Sequence, residues 1–221
     1  MKGKLIVIEG ADGSGKATQT ALLAKKLKSE GKNITTLSFP DYESDSSALI
    51  KMYLNGDFGT DANSVSPYAA SLFYAADRYA SYKKNWQKLY ENGEILIADR
   101  YVTSNFAHQG VKVEKNSRAD FLNWLADLEY DKLELPKPDI VIFLDMPPEV
   151  SLKLVKERAK NDAKKDIHEK DEVYLKKVYE CYLEASKMFG WKKISCAKNN
   201  LPKNISDIEN EVYDACKEVL L

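Results

Sequence analysis

The sequence predicts an α/β fold in which helices cover both faces of a parallel sheet, and three observations lead to this fold class. Five short apolar runs alternate with helical periodicity along the chain, a pattern typical of βαβ units. The first run leads directly into a glycine-rich loop that is followed by a helical pattern. No internal repeat, low-complexity tract or linker interrupts the 221 residues. We therefore expect one domain over residues 1–221.

The glycine-rich loop follows the apolar run at residues 5–8 and reads GADGSGK from Gly10 to Lys16. This is the GxxxxGK phosphate-binding signature in its strand–loop–helix setting. Glycines let backbone N–H groups converge on phosphate oxygens, and the helix start and the Lys16 ammonium add positive charge. Ala17 stands where a hydroxyl normally helps to hold Mg²⁺, and Thr18 lies one position later on a different side of the helix. A chance glycine turn is the alternative, which the flanking strand and helix disfavour.

The remaining elements follow in order along the chain. Four further apolar runs predict strands at residues 34–39, 94–98, 139–145 and 192–196. The segments between them predict helices at residues 15–30, 46–55, 66–92, 101–108, 117–130, 148–160, 170–189 and 205–220. Gly31 is suited to end the first helix, and Pro136 and Pro138 precede the fourth strand.

Composition narrows the class of protein. Hydrophobic residues make up 44% and charged residues 30%, as in a globular chain, and the formal net charge is −1. We expect no general attraction to nucleic acid or to a membrane surface. No apolar run approaches the ~20 residues that span a bilayer, and the first apolar run is too short for a signal peptide. Cys181, Cys196 and Cys216 are widely spaced, which favours buried free thiols and a cytoplasmic location.

The segment FPDY at residues 39–42 directly follows the second strand. Ligands of open α/β sheets lie at the carboxyl ends of the strands, so this loop is expected on the side of the phosphate loop. Proline fixes the turn, and the Tyr42 hydroxyl can donate a hydrogen bond to a phosphate. The alternative is a strand end with a packed aromatic ring.

Tyr74 and Arg78 are four residues apart in the helix predicted at 66–92, so they share one face. A flat ring beside a guanidinium suits a nucleobase, because the ring stacks and the guanidinium donates hydrogen bonds. Core packing with a solvated charge is the alternative for this pair.

Asp99 and Arg100 come at the end of the third strand, followed by Ser104, Asn105 and His108. An acid after a buried strand near a phosphate loop is a usual partner of Mg²⁺, and Arg100 offers a two-pronged donor for phosphate. Asn105 carries a donor and an acceptor that can match a pyrimidine edge. A structural or exposed role suits His108 better than that of general base, because an acceptor phosphate oxygen is already anionic.

Basic residues cluster after the fourth strand. They are Lys153, Lys156, Arg158, Lys160, Lys164 and Lys165, and the acidic segment that follows contains Asp166 and Glu169. Charge runs are usually solvated helix faces. The position after the fourth strand instead favours a lid that folds over a nucleotide and neutralises its phosphates.

Taken together, these segments resemble the thymidylate kinase family. The matching segments are EGADGSGKATQ, FPDY, FYAADR, ADRYVTSN, LPKPDIVIFLD and DIHEKD, in the family's order from residue 5 to about 180. The resemblance implies a five-stranded parallel sheet of the P-loop NTPase type, flanked by helices on both faces, with a helical lid at approximately residues 153–170. It implies a homodimer that phosphorylates dTMP to dTDP with ATP and Mg²⁺. The alternatives are a kinase of another deoxynucleotide or deoxynucleoside, and a non-catalytic nucleotide-binding homologue, which Ala17 and the arginine-poor lid suggest.

The resemblance also implies a role for each matching residue. It places the ATP phosphates at Gly10, Asp12, Gly13, Ser14, Gly15, Lys16, Ala17 and Thr18. It places dTMP at Asp12, Phe39, Tyr42, Tyr74, Arg78, Arg100, Ser104, Asn105, His108, Asp166 and Glu169. It implies catalytic roles for Lys16, Asp99, Arg100 and Arg158, and Mg²⁺ near Asp99, Asp12 and Glu169. Helical spacing favours Tyr74 over Phe73 as the ring beneath the thymine.

Overall fold

A computed structural model describes residues 2–61, 63–159 and 172–220. Within these ranges the five predicted strands form one sheet in the order β2-β3-β1-β4-β5. The strands are β1 (Lys4–Glu9), β2 (Ile34–Ser38), β3 (Ile95–Asp99), β4 (Ile140–Asp145) and β5 (Lys192–Ser195). Every neighbouring pair is parallel, which confirms the predicted sheet.

The helices follow the predicted order with small shifts at their ends. They are α1 (Lys16–Ser29), α2 (Ala48–Asn55), α3 (Pro67–Ser81), α4 (Gln87–Glu91), α5 (Val102–His108), α6 (Arg118–Ala126), α7 (Pro148–Ala159), α8 (Glu172–Met188) and α9 (Ile205–Leu220).

Three local features depart from the prediction. The helix expected at residues 66–92 contains a π-helical turn, Tyr82–Trp86, between α3 and α4. The helix expected at residues 117–130 ends in a second π-helical segment, Asp127–Lys132. A short antiparallel hairpin of β6 (Ala197–Lys198) and β7 (Leu201–Pro202) follows β5 and was not predicted.

Alternate residues of the central strand pack against opposite helical layers. In β1, Ile6 and Ile8 belong to the core shared with α1 and α9, whereas Leu5 and Val7 belong to the core shared with α5 and α6. Both faces of β1 are therefore buried, as in parallel sheets covered on both sides. This explains why the strand is a continuous apolar run.

Strand register brings the carboxyl ends of the strands together. Ile8 of β1 is paired with Asp99 of β3, and Ser38 of β2 is paired with the same Asp99. The phosphate loop, the FPDY loop and the segment after β3 consequently leave the sheet at one edge.

The predicted lid lies largely beyond the described residues. α7 and α8 are seen up to Ala159 and from Glu172. Lys160, Lys164, Lys165, Asp166 and Glu169 lie outside the described ranges, as does the side chain of Arg158. None of the helices in the described ranges is long and apolar enough to cross a membrane.

Candidate active site

A pocket of about 390 Å³ opens at the carboxyl edge of the sheet. The predicted site residues that line it are Asp12, Gly13, Gly15, Lys16, Ala17, Thr18, Phe39, Tyr42, Tyr74, Arg78, Asp99, Arg100, Ser104, Asn105 and His108. The sequence analysis assigned no ligand-binding role to four other lining residues, namely Ser38, Pro40, Leu54 and Tyr101. Segments separated by up to about a hundred residues in sequence thus share one cavity.

The phosphate loop has glycines at positive φ at positions 10, 13 and 15, and the last two differ in the space around them. Gly13 has φ 80° and Gly15 has φ 93°, both in the left-handed region. A Cβ atom on Gly13 would lie 2.7 Å from the carbonyl oxygen of Ser151 in α7, whereas a Cβ atom on Gly15 would meet nothing within 4 Å. The loop therefore packs tightly on α7 at Gly13 and is open at Gly15, where α1 begins.

Lys16 is buried at the first position of α1 and its side chain curls over the loop. Its Nζ donates hydrogen bonds to the carbonyl oxygens of Gly10, at 2.9 Å, and Ala11, at 3.0 Å. Burial and the positive charge of Arg100 lower the pKa of Lys16, and nearby carboxylates, first Asp12, oppose that shift. The ammonium is thus held on the pocket wall at the loop that binds phosphate.

Arg100 adopts a left-handed backbone conformation, with φ 68°. Its guanidinium forms an ion pair with Asp12. Nη1 donates hydrogen bonds to the Ser104 and Tyr182 hydroxyl oxygens, each at 3.3 Å. Burial raises the pKa of Asp12, but the charges of Arg100 and Lys16 outweigh burial and hold that pKa well below its usual range. Asp12 is therefore ionised and engaged by Arg100.

Glu9, at the end of β1, is a site residue that sequence reasoning missed. Its fully buried carboxylate accepts hydrogen bonds from the Gly10 N–H at 3.0 Å and the Thr103 hydroxyl at 2.7 Å. The hydroxyls of Ser104 and Tyr182 also donate to it, each at 2.9 Å. Glu9 thus joins the phosphate loop to α5 and α8. The available signal was an acid placed directly after the apolar run at residues 5–8.

Two neighbouring aromatic residues of α3 have different surroundings. Both rings contact Tyr53, each with centroids 6.5 Å apart. Phe73 also packs against Phe58 at 5.7 Å, whereas Tyr74 lines the pocket. The choice of Tyr74 as the ring beneath a base stays a prediction.

Arg78 and Asn105 lie on the same wall and share a partner, Glu129. Arg78 Nε donates to Glu129 Oε2 at 2.6 Å, and its Nη2 pairs with the other carboxylate oxygen. Asn105 Nδ2 lies 3.5 Å from Glu129 Oε1. Sequence reasoning missed Glu129, because no spacing rule connects residues 51 positions apart.

The FPDY loop is fastened to α3. The Asp77 carboxylate accepts hydrogen bonds from the Asp41 N–H at 2.9 Å and from the Ser46 hydroxyl at 2.6 Å. Phe39 is buried against Tyr101, with ring centroids 5.8 Å apart, and Tyr42 is exposed on the pocket wall. Asp77 therefore holds the loop that presents Tyr42.

His108 ends α5 on the pocket wall. Its ring meets the Tyr182 ring edge-on at 5.8 Å, and its backbone carbonyl accepts a hydrogen bond from the Tyr174 hydroxyl at 2.7 Å. His108 therefore combines packing contacts with a place on the pocket wall, and both of its expected roles stay predictions.

Asp99 offers a carboxylate to the pocket from the end of β3. Burial raises its pKa, and the charges of Lys16 and Arg100 only partly oppose that effect. Within the described ranges, no group of three or more His, Cys, Asp or Glu side chains is arranged to hold a metal ion. The Asp99 carboxylate, which lines the pocket beside the phosphate loop, nevertheless fits Mg²⁺. This ion is often bound by one or two carboxylates together with substrate phosphates and water.

A parallel sheet with a GxxxxGK loop after its first strand is typical of P-loop proteins. The pocket joins this loop to Arg100 and to the side chains of Tyr74 and Asn105. This combination indicates a P-loop kinase that acts on small molecules. Comparison with known proteins specifies the family. The family model described as thymidylate kinase matches residues 8–208. The chain belongs to the thymidylate kinase family.

Individual relatives agree with this assignment. A probable thymidylate kinase of Pyrococcus horikoshii is 32% identical over 100% of this chain and 99% of that protein. A thymidylate kinase of Mycobacterium tuberculosis is 32% identical over 85% of this chain and 87% of its own length. The solved thymidylate kinase of Candida albicans, 24% identical, covers 99% of this chain and 92% of its own with a TM-score of 0.70, and supports the fold.

Proposed function

We propose that the protein transfers the γ-phosphoryl group of ATP to dTMP, giving ADP and dTDP, in pyrimidine deoxynucleotide biosynthesis. One observation carries the proposal: a single pocket joins the phosphate loop to a wall with an aromatic ring, an amide and two arginines. Its volume of about 390 Å³ lies within the range of small-molecule sites. Family membership supports the choice of substrate.

The phosphate loop and Lys16 serve the donor. Loop N–H groups and the start of α1 receive the ATP phosphates, and the Lys16 ammonium stabilises charge that develops during transfer. Phosphoryl transfer needs positioning and charge neutralisation more than a strong base. Lys16 and Arg100, which both line the pocket, supply positive charge for this neutralisation.

The opposite wall serves the acceptor. Arg100 and Tyr42 bind the dTMP phosphate, and the thymine ring stacks on Tyr74. Arg78 and Asn105 provide hydrogen bonds to the edge of the base. Asp12 already engages Arg100, so this pair positions the guanidinium before substrate arrives.

Mg²⁺ fits beside Asp99, where a carboxylate faces the phosphate loop. When bound, the metal would neutralise phosphate charge. Asp12 and Glu169 are the other proposed ligands, and Asp166 is proposed to approach the sugar. Arg158 is proposed to stabilise the transferring group from a lid at approximately residues 153–170. The roles of Arg158, Asp166 and Glu169 rest on family resemblance, because these three side chains lie outside the described part of the chain.

A homodimer is proposed from an apolar surface on two adjacent helices. The exposed large apolar residues of this surface, which we call the α2/α3 face, are Leu49, Met52, Tyr68, Leu72 and Tyr79. Spacings of four and seven residues in α3 place its three members on one side of the helix. Several exposed apolar side chains on neighbouring helices are typical of an interface.

We also propose that residues 1–221 form a single domain in the cytoplasm. The three cysteines are buried and free, as expected for a protein of a reducing compartment.

A coupled assay of ADP release tests the proposed function. dTMP, dUMP, dGMP and thymidine are compared as acceptors, with and without Mg²⁺. Metal-dependent turnover highest with dTMP supports the proposal. Preference for another acceptor would indicate a related deoxynucleotide or deoxynucleoside kinase. Nucleotide binding without turnover would indicate a non-catalytic homologue.

A further inference from the structure

We propose that Glu129 is a positioning residue that makes the pocket select a pyrimidine with a ring N–H over one with a bare ring nitrogen. It does so by orienting Arg78 and Asn105. This inference rests on the proposed function and deepens it. It assigns the choice between thymine and cytosine to a carboxylate held by both base-reading side chains.

Glu129 is completely buried and lies in the π-helical segment Asp127–Lys132. A buried carboxylate is strongly unfavourable unless it is paired and hydrogen-bonded. Here both oxygens are engaged by Arg78, and Oε1 also faces the amide nitrogen of Asn105. π-Helical turns are frequent at functional sites. The carboxylate is thus a fixed acceptor between two residues of the base wall.

Glu129 binds one edge of the Arg78 guanidinium. Two nitrogens, Nε and Nη2, donate to Glu129, and Nη1 reaches the Tyr101 carbonyl oxygen at 3.5 Å. Two parallel contacts to one carboxylate fix the plane of the guanidinium as well as its position. Arg78 therefore presents donors, in a set direction, to the pocket that it lines.

Asn105 is oriented by the same carboxylate. Its Nδ2 faces Glu129 Oε1 at 3.5 Å and the Ser71 carbonyl oxygen at 3.4 Å. Both partners can only accept hydrogen bonds, so the amide nitrogen must face them and the amide oxygen is turned away. Since Asn105 lines the pocket, this oxygen is an acceptor offered to the ligand.

The resulting pair of an acceptor and a donor matches one pyrimidine edge. Thymine presents the N3–H donor and the O4 acceptor, which complement the Asn105 oxygen and an Arg78 N–H. Cytosine presents N3 as an acceptor and its amino group as a donor. Cytosine would therefore place acceptor against acceptor and donor against donor, which a buried polar site rejects strongly.

Glu129→Gln tests the proposal, because it keeps the shape but replaces one acceptor oxygen with a donor amide. Glu184→Gln is the matched control. Glu184 pairs with Arg118 at 2.6 Å away from the pocket, so its loss also removes an arginine–carboxylate contact. kcat and KM are measured for dTMP and dCMP at saturating ATP, with thermal melts to establish folding.

Relative to wild type, Glu129→Gln is expected to lower the dTMP:dCMP ratio of kcat/KM by roughly tenfold or more, mainly through the KM for dTMP. Glu184→Gln is expected to leave the ratio unchanged. A folded Glu129→Gln with the wild-type ratio overturns the proposal, as does an equal fall in the ratio for Glu184→Gln. If Glu129→Gln does not fold, Glu129→Asp decides: it keeps the charge but withdraws it from Asn105, so a lowered ratio supports the proposal and an unchanged one overturns it.

The wild-type enzyme separates this proposal from the function on which it rests. No turnover with dTMP would refute the proposed function itself. Turnover of dTMP and dCMP at equal kcat/KM would leave the kinase function standing and overturn the role of Glu129.

Discussion

Asp99 and Arg100 are adjacent in sequence, but the protein stabilises the charged form of Arg100 and disfavours the charged form of Asp99. Arg100 pairs with Asp12 and contacts two hydroxyls. Burial tends to lower its pKa, but Asp12 and other acidic partners raise it well above its ordinary value. The charge of Asp99 is penalised by burial, which raises its pKa. The pocket thus contains a carboxylate whose ionised form Lys16 and Arg100 stabilise only in part.

We predict that Asp99→Asn raises thermal stability while it abolishes most activity. Because the folded-state pKa of Asp99 is raised, its stabilising effect is present at low pH and is lost as pH rises through that pKa. Asparagine has nearly the same shape but no charge, so Asp99→Asn avoids the loss of stability that ionisation causes. In a chain of this size, a gain near 1 kcal/mol in the free energy of unfolding would raise Tm by about 2–4 °C. Melts without nucleotide at about pH 4 to 8 check the sign. A lower Tm for Asp99→Asn at pH 7 would contradict it.

Asp12→Asn provides the opposite case. The pKa of Asp12 is lowered, so its contribution to stability is present above the unfolded-state pKa and is lost as pH falls through the folded-state value. We expect Asp12→Asn to lower Tm at pH 7 and to lose that deficit in acid. A variant as stable as wild type at pH 7 would show that the contact with Arg100 adds nothing.

Lys16→Ala should fold and bind nucleotide but lose turnover. Its ammonium stabilises charge that appears during transfer, so the loss should fall on kcat, by about 100-fold or more. Single-turnover transfer from ATP measures this, and circular dichroism monitors the fold. Near-normal transfer would show that the phosphate-loop assignment is wrong.

At the scale of elements, two glycines of the phosphate loop provide a controlled comparison. Gly13→Ala and Gly15→Ala both place a side chain at positive φ, at a cost of about 1–2 kcal/mol. Only Gly13→Ala also pushes a Cβ atom against Ser151 of α7. We expect it to be less stable than Gly15→Ala by a further ~1–3 kcal/mol. Urea unfolding measures the difference, and equal costs would mean that α7 yields freely.

The elements that the sequence predicted share a local signal. Apolar runs marked the five strands, and glycine spacing marked the phosphate loop. The π-helical turns were not predictable in this way. Their hydrogen bonds span one residue more than those of an α-helix, which shifts the helical period and depends on packing partners. Glu129 and Asp77 were missed for a related reason: their partners lie in other elements, so only the folded chain shows the contact.

At the scale of the whole molecule, the proposed homodimer forms through the α2/α3 face. Leu72, with 49% of its surface exposed, lies within this face, whereas Leu201, 67% exposed, lies on the β6–β7 hairpin. Leu72→Glu should convert the dimer to a monomer, and Leu201→Glu should not, because a buried unpaired charge is costly only in the interface. Light scattering after size exclusion measures the mass. A monomeric wild type, or equal effects of both variants, would exclude this face as the interface.

The burial of the Arg78–Glu129 pair also bears on ionic strength. Dissolved ions screen charges that are open to water, whereas a buried pair is screened much less. Attraction between a dianionic phosphate and the side chains of Lys16 and Arg100 should weaken as salt is added, and the KM for the nucleotide should rise. The preference for one base over another should stay constant over the same range. Salt would then change how tightly the enzyme holds its substrate without changing which substrate it chooses.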